Sequence, residues 1–139
     1  MNEARRILVV DDQDDIRELT STVLAGAGYD VVAVSSGNMA LDRLAAANFD
    51  LVLLDVNMPG MDGWETLRLI RADEELLDVP VVMFTIKGEF HDQVHEMQEG
   101  ATGYITKPFE IDDLLSRLDR VLTTSGRGGS PPPLSERIG

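Results

Sequence analysis

Residues 51–55 read Leu51-Val52-Leu53-Leu54-Asp55, four aliphatic side chains with no polar alternation and then a carboxylate. A strand with one wet face alternates apolar and polar residues. A strand covered on both faces does not, and a parallel sheet is its usual setting. The pattern returns as Ile7-Leu8-Val9-Val10, which again runs into acid at Asp11 and Asp12. Further short aliphatic runs fill 31–34, 81–85 and 104–106, so the chain offers five strands.

Helical periodicity fills the gaps between them. Ile16, Leu19, Val23 and Leu24 form one apolar stripe, and Leu41, Leu44 and Ala45 a second. Trp64, Leu67 and Ile70 form a third, and Phe90, Val94, Met97 and Ala101 a fourth. The fifth is the most regular, with Ile111, Leu114, Leu115, Leu118, Val121 and Leu122 at spacings of three and four. Five strands alternating with five helices predict an α/β fold, a doubly wound (βα)5 unit whose right-handed crossovers put helices on both faces of one parallel sheet. Gly26 and Gly28 end helix 1, Pro80 opens strand 4 and Pro108 stops strand 5. Residues 1–124 are therefore one domain. From 125 to 139 the composition turns to Gly, Ser and Pro and reads as a linker or disordered tail.

Composition narrows the chemistry. A chain of 139 residues with 43% hydrophobic content suits a single core. Cysteine is absent, which removes disulfides, thiolate metal sites and cysteine nucleophiles, and makes a cytoplasmic setting the expectation. No apolar run approaches the ~18 residues that cross a bilayer. A net charge of -13 predicts repulsion from nucleic acid phosphates and anionic membranes, so neither is expected as a direct partner. Lysine occurs only as Lys87 and Lys107, which makes the position of each ammonium informative.

Ligands of such folds sit beyond the carboxyl ends of the strands. There strand 1 runs into Asp11-Asp12-Gln13-Asp14-Asp15, and strand 3 into Asp55. Asp14 or Asp15 has an ordinary use as a cap of helix 1, with Glu18 completing a capping box. Asp11, Asp12 and Asp55 have no such use. Carboxylates brought together raise each other's pKa unless a cation joins them, and an oxygen-only set suits magnesium. Strand 4 ends in Thr85, and strand 5 in Thr106-Lys107-Pro108, which adds one positive point charge suited to a phosphoryl oxygen.

Four pieces in this order resemble the receiver (phosphoacceptor) domain of two-component response regulators. They are Ile7-Leu8-Val9-Val10-Asp11-Asp12; Leu51-Val52-Leu53-Leu54-Asp55 with Met58-Pro59-Gly60-Met61-Asp62-Gly63; Thr85; and Tyr104-Ile105-Thr106-Lys107-Pro108-Phe109. The resemblance spans residues 5 to about 123 and implies a flavodoxin-like sheet of strand order 2-1-3-4-5. It implies that Asp55 accepts the phosphoryl group, with Lys107 and Thr85 as its catalytic neighbours, and that Thr85 and Tyr104 form a switch pair. Mg2+ or Mn2+ would be held by Asp12, Asp55, the Asn57 carbonyl and, mainly through water, Asp11. The donor would be a histidine kinase or a phosphotransfer protein. Output would pass from the face of helix 4, strand 5 and helix 5 to a C-terminal effector domain or a separate output protein. By the same resemblance the domain is a signalling switch rather than an enzyme, catalysing only its own phosphorylation and slow dephosphorylation, and the Lys107-Pro108 bond is cis.

Asn57, Ile86 and Lys87 would border the access to the phosphorylation site. Ile86 departs from the small residue usual after the switch threonine, and its stiff β-branched side chain is expected to hold back the hydrolytic water. The paired acids that precede this tyrosine in many regulators dimerising through helix 4, strand 5 and helix 5 are missing from Gly100-Ala101-Thr102-Gly103. Such a dimer is therefore not expected. Two rivals explain less. A flavin- or nucleotide-binding protein of this fold needs a Ser/Thr/Gly-rich loop after strand 1, where five residues here include four acids. A phosphoaspartyl hydrolase would leave Lys107 and Asp55 unexplained and would require a cap domain.

Overall fold

The computed structural model describes residues 4–86 and 100–125. Five parallel strands, β1 (Arg6–Val10), β2 (Asp30–Val34), β3 (Leu51–Asp55), β4 (Val81–Ile86) and β5 (Gly103–Lys107), form one sheet in the order β2-β1-β3-β4-β5. The expected strand order is the observed one. Three helices, α1 (Asp14–Gly26), α2 (Gly37–Ala46) and α3 (Gly63–Ala72), and the C-terminal helix Ile111–Ser125 connect or follow the strands. The fourth predicted stripe falls largely on 87–99, outside the described residues; Ala101, its last member, is buried.

The strands alternate their side chains between two cores. Leu8, Val10, Val52, Leu54, Val81 and Met83 face α2 and α3, where Ala40, Leu44, Leu67 and Ile70 close over them. Ile7, Val9, Leu51, Leu53, Val82, Phe84 and Ile105 face α1 and the C-terminal helix, against Leu24, Leu114, Leu118 and Leu122. Central β3 is buried at every position, as its unalternating run requires. Each fully buried Leu or Ile contributes ~1.5–3 kcal/mol, so these runs anchor the fold.

Three expectations need correction. Strand 2 is an edge strand with Asp30 and Ala33 exposed: Val32 and Val34 pack on one core and Val31 on the other, so both faces are covered only in part. On α1, Leu19 is 52% exposed, while Thr20 and Leu24, one turn apart, are buried against the sheet. The helix is thus rotated by about one residue from the predicted stripe, and Ile111 likewise opens its helix exposed. Finally, Gln13 occupies the N-cap of α1 with no side-chain cap bond, and Asp14 and Asp15 lie inside the first turn. Their negative charge there complements the helix dipole without capping it.

Candidate functional site

Strand alternation builds the site. Along β1, β3 and β5 the positions of Ile7 and Val9, of Leu51 and Leu53, and of Ile105 share one face. Two residues further on, the same parity gives Asp11, Asp55 and Lys107. The registers bring these ends level: Val10 pairs with Leu54, Asp55 with Phe84, and Ile86 with Lys107. Lys107 Nζ accordingly donates to Asp11 Oδ2 at 2.8 Å and to Asp55 Oδ1 at 3.1 Å.

The ammonium is held from below as well. It lies 5.0 Å from the centroid of the Phe84 ring, which in turn stacks on Phe109 at 5.6 Å. The Lys107-Pro108 bond is cis, as expected. The Lys107 side chain is 11% exposed, while Asp11 is fully buried and Asp55 nearly so.

Three carboxylates converge here. Oxygens of Asp11, Asp12 and Asp55 all lie within 4.8 Å of one another. Burial pushes the Asp55 carboxyl up to about 6, opposed by Lys107, helped by Asp11, and opposed again by the Asn57 backbone N–H that it accepts. Asp11 Oδ1 accepts the Gln13 N–H at 2.9 Å, and the Asp11 carbonyl accepts Arg17 Nη1 at 2.9 Å. Asp12 Oδ1 is buried with no hydrogen-bond partner among the described residues. One ammonium cannot balance three clustered carboxylates, and an orphaned buried carboxylate oxygen costs free energy unless something meets it. Hard oxygen donors of this kind fit magnesium or manganese. The site is a cleft of about 130 Å³ lined by Asp12, Gln13, Asp55, Asn57 and Lys107.

Thr85 is buried in β4, paired with Thr106, and Tyr104 is paired with Met83. Thr85 and Tyr104 therefore stand diagonally on one face of adjacent strands. Tyr104 is half-buried against the core beside α2 and α3. The Ile86 backbone pairs with Lys107, but its side chain and all of Lys87 lie outside the described residues.

The response regulator receiver domain model matches residues 7–119. The chain belongs to the response regulator receiver domain family. The phosphate regulon transcriptional regulatory protein PhoB of Pseudomonas aeruginosa is 38% identical over 130 residues, covering 94% of this chain and 57% of that protein. The DNA-binding response regulator MtrA of Mycolicibacterium smegmatis is 40% identical over 114 residues, covering 82% and 49%. This receiver thus spans about half the length of the curated relatives it matches. Among solved structures, a putative response regulator from Chloroflexus aurantiacus superposes with a TM-score of 0.84 at 32% identity, covering 87% of this chain and 99% of that one. Chemotaxis response regulator CheY4 of Vibrio cholerae superposes with a TM-score of 0.81 at 35% identity, covering 86% and 99%. Like them, this receiver domain is a two-component signalling module, and its acidic cluster is able to hold a metal ion.

Some of the receiver's site was not singled out in the sequence. Gly63 carries no chemistry, yet a Cβ there would lie 2.3 Å from the Asp55 carbonyl and 2.8 Å from Val56 Cα. Only glycine lets α3 start this close to the end of β3, with the Gly63 N–H donating to the Val56 carbonyl at 2.9 Å. The sequence assigns no role to Phe84, Phe109 or Arg17, although Phe109 closes the 104–109 stretch. The polar start of α1 gave no sign that Arg17 would reach back to the strand end.

Proposed function

We propose that this receiver takes a phosphoryl group on Asp55 from the phosphohistidine of a histidine kinase or phosphotransfer protein, with Mg2+ or Mn2+ held by Asp11, Asp12, Asp55 and the Asn57 carbonyl. The observation that carries the reading is the set of three carboxylates within 4.8 Å, two of them bridged by Lys107. The bound cation would neutralise charge on the transferring phosphoryl oxygens.

The residues supply the rest. A carboxylate oxygen of Asp55 forms the new P–O bond as the P–N bond to the donor imidazole breaks, and the electron pair leaves with the imidazole nitrogen. Asp55 must be ionised to attack, and its carboxyl at about 6 meets that condition at neutral pH. Lys107 neutralises negative charge that would otherwise repel the incoming phosphoryl oxygens, and Asp11 together with the Phe84 ring fixes the ammonium in place. Thr85, one residue beyond the strand partner of Asp55, would turn its hydroxyl to the new phosphoryl group, and Tyr104 would follow it. That change would reshape the face of β5 and the C-terminal helix, to which the resemblance adds a fourth helix outside the described residues. The matched relatives are called transcriptional and DNA-binding regulators, so the proposed output is an effector domain, whether joined beyond the 125–139 segment or carried by another protein.

Acetyl phosphate with magnesium should add one phosphoryl group to the intact protein by mass spectrometry. Chelation by EDTA and the Asp55→Asn substitution should each abolish the gain. A phosphorylated Asp55→Asn protein would overturn the assignment of the acceptor.

A further inference from the structure

Arg17 takes no part in the reading above, yet it makes two contacts at the loop that carries the acids. Its Nη1 donates to the Asp11 carbonyl at 2.9 Å, and its Nη2 meets Asp14 Oδ1 at 2.5 Å. The Arg17 side chain is 21% exposed and Asp14 81% exposed. The Asp14 pair is therefore worth little by itself. The carbonyl contact differs in kind. The Asp11 carbonyl belongs to the peptide plane that joins Asp11 to Asp12, and a planar peptide held at its oxygen has a fixed direction at the next Cα. Asp11 is already held by its N–H on Val34 and by its carboxylate on Gln13 and Lys107. Asp12 is held by none of these. Its buried Oδ1 has no hydrogen-bond partner among the described residues, so its aim depends on the backbone on which it stands.

We propose that Arg17 is a positioning residue for the metal site: by clamping the 11–12 peptide plane it aims the Asp12 carboxylate into the cleft. The inference rests on the metal reading above and extends it to a residue that touches neither metal nor phosphoryl group. Asp14 balances the guanidinium, so the clamp adds little net positive charge beside a cation site. Groups that orient metal ligands from behind typically matter ~10–100-fold in metal affinity.

The sign of the effect tests the idea. By charge alone, removing a cation from the neighbourhood of a Mg2+ site tightens metal binding. By positioning, it weakens it. Magnesium affinity should be measured by calorimetry on the unphosphorylated chain for wild type, Arg17→Ala, Arg17→Gln and Arg17→Lys, with circular dichroism and thermal melts in EDTA alongside. The expected result is a Kd raised about tenfold in Arg17→Ala, with part of the loss recovered in Arg17→Lys, which keeps a donor able to reach the carbonyl. Arg17→Gln, whose amide nitrogen ends two bonds short of Nη1, also removes the clamp and serves should the alanine variant not fold. Equal or tighter binding by folded Arg17→Ala or Arg17→Gln overturns the inference while leaving the metal reading intact. Absence of magnesium binding by wild type overturns the metal reading itself, and this inference with it.

Discussion

Both ends of the parallel sheet set a cation among carboxylates, and the two ends use the same ingredients differently. At the amino ends, Arg6 lies 4.9 Å over the Phe49 ring, with Nε 3.2 Å from Asp30 Oδ2 and Nη1 donating to the Asn48 carbonyl at 3.4 Å. Its own N–H donates to Asp50 Oδ2 at 2.8 Å. These contacts tie β1 to the start of β2 and to the turn before β3, and the ion pair is open to water, with 38% and 56% of its two side chains exposed. At the carboxyl ends, Lys107 is almost enclosed and bridges two of three clustered carboxylates. Balanced charge in water fastens a fold. Surplus charge out of water costs stability and has to be explained by what binds there.

Exchanging the two cations for alanine should separate these roles most sharply. Lys107→Ala should slow phosphorylation by acetyl phosphate by ~10²–10³-fold, the usual cost of losing one donor aimed at developing charge. Arg6→Ala should leave that rate within about twofold. It should instead lower stability by ~1–2 kcal/mol, the sum of one cation–π contact and one exposed ion pair. Rates come from intact-mass time courses and stabilities from urea titrations. If Arg6→Ala slows phosphorylation as much as Lys107→Ala, the two ends are not functionally distinct.

Glycines sharpen the same contrast. At Gly63 an added Cβ meets backbone atoms at 2.3 and 2.8 Å, and backbone cannot swing aside. Gly63→Ala should cost ~2–3 kcal/mol and slow phosphorylation, because the end of β3 that carries Asp55 must move. Gly26, at the far end of α1, has nothing within 4 Å of the same construction. Gly26→Ala should be neutral or stabilising by up to ~1 kcal/mol, since alanine removes freedom from the unfolded chain. Equal denaturation midpoints for the two variants would show that the contact at Gly63 relaxes more easily than its geometry implies.

The sequence made the site legible for a local reason. Asp11 and Asp55 each stand at the end of an aliphatic run and Lys107 at the end of the shorter Tyr104-Ile105-Thr106 strand, so once the strands were placed the fold could bring them only to one edge. Thr85 followed from the same placement, and Tyr104 only from the family resemblance. What stayed hidden depends on rotation and close approach rather than on residue type. Leu19 and Thr20 are neighbours on α1, and only packing decides that the threonine turns inward. Strand 2 is as aliphatic as its partners, and only the order β2-β1-β3-β4-β5 makes it an edge. The role of Gly63 is invisible without the distance to β3, and that of Arg17 without the return path of the loop to the strand end.

A pH-dependent effect reads the surplus charge directly. Asp55 has a carboxyl raised to about 6 in the folded chain against an ordinary 3.8, with burial as the leading cause. Between these values the folded chain keeps a proton that the unfolded chain releases. Stability therefore falls as pH rises through that window, and the whole deficit is present above it. At 1.36 kcal/mol per unit the deficit is on the order of 3 kcal/mol at most. Asp55→Asn keeps the shape, leaves Lys107 its bond to Asp11 and removes the charge. In EDTA the variant should be more stable than wild type by ~1–3 kcal/mol at about pH 7.5, and the advantage should shrink towards nothing at about pH 4. Magnesium at the higher pH should narrow the gap by stabilising wild type more than the variant. A variant no more stable than wild type at about pH 7.5 would mean that Lys107 already offsets the buried charge. An advantage that persists unchanged at about pH 4 would place its origin in packing, because protonated Asp55 and asparagine then carry the same charge.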